Sequence, residues 1–151
     1  THVQIAYSDL IPDLHALPSA YKQTALALRV GKLFYSEQSV FPFNKLGIGR
    51  LIHELPEKLC EDFLFEIFGG ITSEHLDKDT LAAIDKFFQN NLNIAETARQ
   101  LHMHRNTLIY RLEQVEKRTG LDLRQFEDAM TFKIAIMILN YLQSERNVSH
   151  E

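Results

Sequence analysis

The stretch from Asn93 to Gly120 limits what this chain can fold into more than any other. Two short apolar stripes there flank a polar interruption. Ile94, Ala98 and Leu101 fall at i, i+4 and i+7, one face of a helix about two turns long. Asn93 precedes that stripe and Glu96 follows it by three, a capping-box-like pair with Asn in place of the usual Ser or Thr. Ala98 is small at the middle of the face, so a second helix can cross closely there. After His102-Met103-His104 a second pattern is read as starting in a new phase, with Leu108, Leu112 and Val115 as its buried stripe. Asn106, Tyr110, Glu113 and Lys117 lie opposite, and Thr107, Arg111 and Gln114 flank them. Gly120 stops this second helix, with Lys117 and Arg118 in the last turn where cations suit the helix dipole. Two helices, a short turn with one apolar residue (Met103) and a polar second helix predict a helix-turn-helix over about 93–119.

The residue chemistry fits that prediction. A recognition helix presents its N-terminal residues to base edges in the major groove. Here they are Arg105, Asn106 and Thr107. Arg can hold guanine bidentately, and Asn can hold adenine. Thr107 and the amides at the helix start suit phosphate. Tyr110 and Arg111, one turn on, reach bases or backbone, and Lys117 suits phosphate. His104 either caps the helix or touches phosphate. The plain alternative is a surface helix, since capping also explains Asn and Thr in a first turn.

His102 and His104 form an H-x-H, but a metal site needs three or four ligands in a compact set. His53 and His75 are remote in sequence, so no metal and no cofactor are expected. His102 stands where many such turns carry glycine, and His is among the few other residues enriched at positive φ.

Charge distribution points to the same segment. The 151-residue chain has a net charge of −4, which by itself argues mildly against nucleic acid. Residues 1–93 carry −4, residues 94–124 carry +2 and residues 125–151 carry −2. The one net-positive segment is the predicted helix-turn-helix. Cys60, the single cysteine, sits among Leu59, Phe63 and Leu64 and reads as a buried, reduced thiol in a cytoplasmic protein. No run is long enough for a membrane span. The first residue is Thr1 rather than Met, which suggests a fragment or a processed product. Gly47-Ile48-Gly49 is only a G-x-G, and no Walker A, G-x-S-x-G or H-E-x-x-H motif occurs, so no enzyme is expected. Glu61, Asp62 and Glu66 read as a solvated helix face.

The first third is mixed α/β. Val3 to Tyr7 reads as a short strand. Pro18 opens a helix with Tyr21, Ala25 and Leu28 at helical spacing and Gly31 as its stop. Val40 to Phe43 reads as an edge strand because Pro42 cannot donate to a ladder. From Leu46 the pattern is helical. A short helix runs to His53, and another runs from Pro56 to Phe68 with Leu59, Phe63 and Ile67 inward and Gly69-Gly70 at its end. A further helix spans about Asp77 to Asn90, with Leu81, Ile84 and Phe88 recurring. The last, about Phe126 to Leu142, has two apolar faces: Ala129, Phe132, Ile136 and Leu139, and Met130, Ile134, Met137 and Tyr141. It reads as a central core helix, with burial against a second subunit as the other reading.

The stretch from Leu81 to Leu139, centred on NLNIAETARQLHMHRNTLIYRLEQVEKRTGLDLRQFEDAM, closely resembles the C-terminal helix-turn-helix domain of the PucR/CdaR family of bacterial transcriptional regulators. The HRNTL-x-x-RL core from His104 to Leu112, followed by TGLDL from Thr119 to Leu123, carries the resemblance. The helix-turn-helix is also similar to that of the Fis-type nucleoid proteins. SAYKQTALALRVGK from Ser19 to Lys32 and VFPFNKLGIGRLI from Val40 to Ile52 resemble the end of the degenerate GGDEF-like domain that often precedes it in the family. No GGDEF-type signature is present, and Phe68-Gly69-Gly70-Ile71 does not qualify.

The resemblance implies a mainly α protein with a Fis-like helix-turn-helix domain over 46–151, preceded over 1–45 by a small incomplete α/β segment that ends a GGDEF-like regulatory domain. It implies a cytoplasmic regulator of catabolic genes, including those for sugar diacids and purines. Its partners would be double-stranded promoter DNA and further copies of itself, as a homodimer or higher oligomer, with no membrane. A small-molecule effector would be sensed mainly outside this segment. The family motif falls on His104, Arg105, Asn106, Thr107, Leu108, Arg111 and Leu112, with the two leucines in the core and the others facing DNA. The competing expectation is a protein-interaction or dimerisation module in which the helix-turn-helix is only structural.

Overall fold

The computed structural model describes residues 3–69 and 76–148. The described chain divides into two compact units: residues up to Leu59 together with those from Asn140 onward, and Cys60–Leu139. Gly70 and His75, singled out above, lie outside the described residues. Among the described residues no helix is long and apolar enough to cross a membrane.

The first unit is built on a strand–helix–strand crossover. Strand β1 (Ile5–Tyr7) and strand β2 (Val40–Pro42) pair in parallel, with Ala6 opposite Phe41. Parallel neighbours need a crossover, supplied here by helix α1 (Leu17–Phe34). Asp13 accepts from the His15 and Ala16 amides and starts the turn that feeds α1, and Pro18 sits in its first turn. Helix α2 (Ile48–His53) follows a turn in which the Tyr35 hydroxyl donates to the Leu46 carbonyl at 2.7 Å. Ala27, Val30, Phe41, Phe43 and Leu46 form the core.

Two expectations for α1 are corrected. Gly31 does not stop the helix, which continues to Phe34. Nor is Tyr21–Ala25–Leu28 the inner stripe: Tyr21 is 75% exposed, while Ala20, Ala27, Val30 and Gly31 are buried. The cause is the Phe41 ring, which lies where a Gly31 side chain would begin. The inner face of α1 is chosen for smallness, so a search for large apolar residues misses it.

The second unit is helical. Helix α3 (Glu57–Phe68) leads into it, and helices α4 (Lys78–Gln89), α5 (Ile94–Gln100), α6 (Arg105–Thr119) and α7 (Phe126–Val148) follow. Leu59, expected inward on α3, is 53% exposed, and Cys60 and Phe68 are buried instead. On α4 the fully inward positions are Ala83, Ile84 and Phe87, with Leu81 and Phe88 only partly covered. Helix α7 runs past the expected Leu142 to Val148. Phe132 and Ala135 are its most buried positions in this unit, and Met130 is 41% exposed. Leu108, Leu112 and Val115 of α6 join Phe87, Ala98, Leu123 and Phe132 in one core.

The α5–α6 turn is closed by backbone geometry. The Met103 amide donates to the Ala98 carbonyl at 3.0 Å, and the His102 amide donates to the Arg99 carbonyl at 3.2 Å. These paired bonds make a Schellman motif, whose pivot residue is left-handed and is usually glycine. Here the pivot is His102, at φ +51°. Met103 packs against the core and anchors the turn from below.

Two stability outcomes follow from these close approaches. Gly31→Ala should lower the free energy of unfolding by about 1–3 kcal/mol through overpacking, read by urea titration. Adding Phe41→Leu should recover part of the loss, and an unchanged Gly31→Ala midpoint would contradict the packing described. At the turn, His102→Val should cost about 1–2 kcal/mol, because a β-branched residue is strained at positive φ. His102→Gly should be neutral or stabilising by up to about 1 kcal/mol. Equal midpoints for the two variants would contradict the left-handed pivot.

Candidate nucleic-acid interface

Helix α5 is fixed at its start by Asn93, whose Oδ1 accepts from the Glu96 amide at 3.0 Å. The reciprocal half of the capping pair does not form. The Glu96 carboxylate turns instead to Arg99, at 2.6 Å, and to Gln100. Those hydrogen bonds, from Arg99 first and Gln100 second, lower its pKa to about 2. Arg99, counted in the basic segment, is therefore already matched by a carboxylate. Thr97, fully buried, donates its hydroxyl to the Asn93 carbonyl at 2.7 Å and accepts from Asn90 at 3.1 Å. This polar knot ties α4, α5 and their connection together.

Helix α6 is set by its first residues. His104 is the N-cap, with extended backbone, and its Nδ1 accepts from the Asn106 amide at 3.2 Å. That bond leaves Nε2 as the donor atom of the neutral ring. Of the two roles open to His104 in the sequence, capping is the one present in the fold. With Leu108 and Leu112 wholly buried, the helix cannot rotate without exposing its core face. Arg105, Asn106 and Thr107 are then exposed side by side at the helix start, and Tyr110 is 60% exposed one turn later. At the other end Gly120, at φ +75°, closes α6 as its left-handed cap.

The two flanks of α6 differ in character. Thr107, Tyr110 and Arg111 line a depression of about 410 Å³ whose far wall is the start of α4, at Asp77 and Thr80. Gln114 and Arg118, which sequence reasoning had not assigned to a site, continue the same wall. Lys117 lies on the other flank, in a depression shared with Glu113, Glu116 and Arg124. Arg124 is held there by Asp122 at 2.6 Å and by Glu116 at 3.0 Å. The structure thus gathers His104 to Arg111 along one end and edge of α6 and sets Lys117 apart, next to acidic groups. Spacing of 107, 111, 114 and 118 was the available signal for the missed residues, because those positions share one helix edge.

His102 sits at the turn pivot and His104 at the cap, and among the described residues no group of three His, Cys, Asp or Glu gathers as a metal site.

Comparison with known proteins places this geometry. Residues 80–138 match the family described as the PucR C-terminal helix-turn-helix domain. The chain is 27% identical over 135 residues to the purine catabolism regulatory protein of Bacillus subtilis, covering 89% of this chain and 25% of that protein. It is 37% identical over 125 residues to the uncharacterised Bacillus subtilis protein YsfB, covering 83% of this chain and 32% of that one. It is 41% identical over 59 residues to the carbohydrate diacid regulator of Escherichia coli, covering 39% and 14%. The chain spans a third or less of the length of each of these relatives. Residues 80–138 are thus a PucR-type C-terminal helix-turn-helix domain, similar to that of PucR/CdaR-type regulators.

Proposed function

We propose that this chain is the DNA-binding portion of a cytoplasmic transcriptional regulator of catabolic genes, and that it is not an enzyme. One observation carries the reading: a buried leucine stripe and a Schellman turn hold α6 so that Arg105, Asn106 and Thr107 stand exposed together at its N-terminus. A helix so presented enters the major groove with those side chains at base edges. In this reading Arg105 and Asn106 read bases. The Nε2 of His104 and the hydroxyl of Thr107 hold phosphate, as does Lys117. Tyr110 and Arg111 reach base or backbone. The relatives named for purine catabolism and carbohydrate diacids support control of catabolic genes. A small-molecule effector would be sensed mainly outside this segment, and residues 1–45 would close a GGDEF-like regulatory domain.

Self-association has its own support. Phe126 and Met130 of α7 are 69% and 41% exposed, beside Phe88 and Leu92, around an apolar hollow of about 300 Å³. A homodimer covering that hollow would bind half-sites about one helical turn, roughly 34 Å, or a multiple of that apart.

The double variant Arg105→Ala with Asn106→Ala should lose sequence-selective binding to DNA recovered from a random pool, while keeping its helical circular dichroism. Unchanged selectivity would remove those two residues from the readout. Lys117→Ala should weaken binding evenly across sequences and flatten the salt dependence by about one phosphate. Light scattering separates the alternative: a stable dimer that leaves DNA unbound at low salt would favour an interaction module.

A further inference from the structure

We infer that two copies of this chain pair through antiparallel α7 helices about a two-fold axis at Met130, and that Phe126 of each copy fills the apolar hollow of the other, next to the Lys133 ammonium. The inference rests on the self-association reading and supplies its geometry. The hollow is walled by Phe88 and Leu92 on one side and by Phe126, Met130 and Lys133 of α7 on the other. Its first wall is held by backbone bonds. The Asn91 and Leu92 amides donate to the Phe88 and Phe87 carbonyls, each at 3.0 Å, and Leu92 packs against the core. Leu92 sits at φ +62°, a conformation that a leucine keeps only where its surroundings enforce it. The start of α7 is fixed too, because Asp128 accepts from the Asp122 amide at 2.9 Å. The hollow is therefore preformed, and a side chain entering it meets little ordering cost.

Spacing and charge on α7 name a second copy as the occupant. Phe126, Met130 and Lys133 fall at i, i+4 and i+7 on one face, and all three are exposed. At 1.5 Å of rise per residue, Phe126 lies about 6 Å before Met130 and Lys133 about 4.5 Å after it. Antiparallel pairing about Met130 brings Phe126 of the second copy about 6 Å after Met130, within about 1.5 Å of the Lys133 level. Residues seven apart share one edge of a helix, and a two-fold perpendicular to the pair keeps that edge on the same side. That edge borders Phe88 and Leu92, so the incoming ring enters the hollow. The same operation fills the hollow of the second copy, as an isologous interface requires. Lys133 forms no ion pair among the described residues, and its Nζ stands 6.0 Å from the centroid of the Phe88 ring. The incoming ring gives this ammonium a second aromatic neighbour, and such attraction grows as water is excluded. Glu127, three residues before Met130, comes to the Lys133 level on the other edge of the contact, so opposite charges share each level.

Sedimentation equilibrium and disulfide trapping of the chain test the pairing. The wild-type chain should dimerise. Phe126→Ala, at a position 69% exposed in the single chain, should raise the dimer Kd about a hundredfold, because each dimer loses two rings at roughly tenfold apiece. Lys133→Glu, which sets a carboxylate against the same ring and level with Glu127 of the other copy, should raise it as well. Met130→Cys should form an intermolecular disulfide on mild oxidation, since residues on the axis of a close helix pair come within the roughly 4.4–6.8 Å Cα separation that a disulfide spans. Glu127→Cys, about 9 Å along the helix from its own copy, should not. The wild-type chain, whose Cys60 is buried, serves as the background control. A wild-type dimer whose Kd Phe126→Ala leaves unchanged, or one that traps Glu127→Cys in preference to Met130→Cys, would overturn this pairing while self-association stands. A wild-type chain that stays monomeric at every concentration tested would leave the hollow to another partner and overturn the self-association reading itself.

Discussion

The candidate interface depends on the left-handed closure at His102. Two backbone hydrogen bonds, from Met103 to Ala98 and from His102 to Arg99, end α5 and reverse the chain within three residues. Everything that follows is placed by that reversal. Met103 drops into the core, His104 takes up the cap, and α6 starts with its leucine stripe already facing inward. The polar residues at the start of α6 are exposed as a consequence. Their exposure is a product of core packing and one strained residue rather than of contacts among the exposed residues themselves.

A second constraint acts on charge. The segment 94–124 is net +2, yet two of its arginines are committed locally, Arg99 to Glu96 and Arg124 to Asp122 and Glu116. Of the other cations, Arg105 and Arg111 lie along one end and edge of α6 and Lys117 on its other flank. Exposed ion pairs add little stability. Their larger effect here is to neutralise the positive potential of the segment locally, at Arg99 and at Arg124.

Much of this was readable from residue order, though unevenly. The Asn93 cap, the Leu108–Leu112–Val115 stripe and the Gly120 stop all rest on local rules, and each appears in the fold. The break at His102 stood on weaker ground than its phase reading suggested. Leu101 and Leu108 are seven residues apart, a spacing that one continuous helix also keeps on one face. Only the backbone at His102 decides the matter. The α1 face was misread because its inner residues are small, and small residues carry no hydropathy signal. Leu59 was misread because an apolar residue at the start of a helix need not face inward. The flank contrast of α6 was hidden because it depends on where the start of α4 comes to rest, a tertiary fact.

The most direct measurement is amide chemical-shift mapping of the chain on titration with a duplex selected from a random pool. The expected result is perturbation concentrated at 104–111 and at Lys117. Shifts confined to α7, or none at a duplex concentration where the selected site is saturated, would contradict a DNA-reading α6.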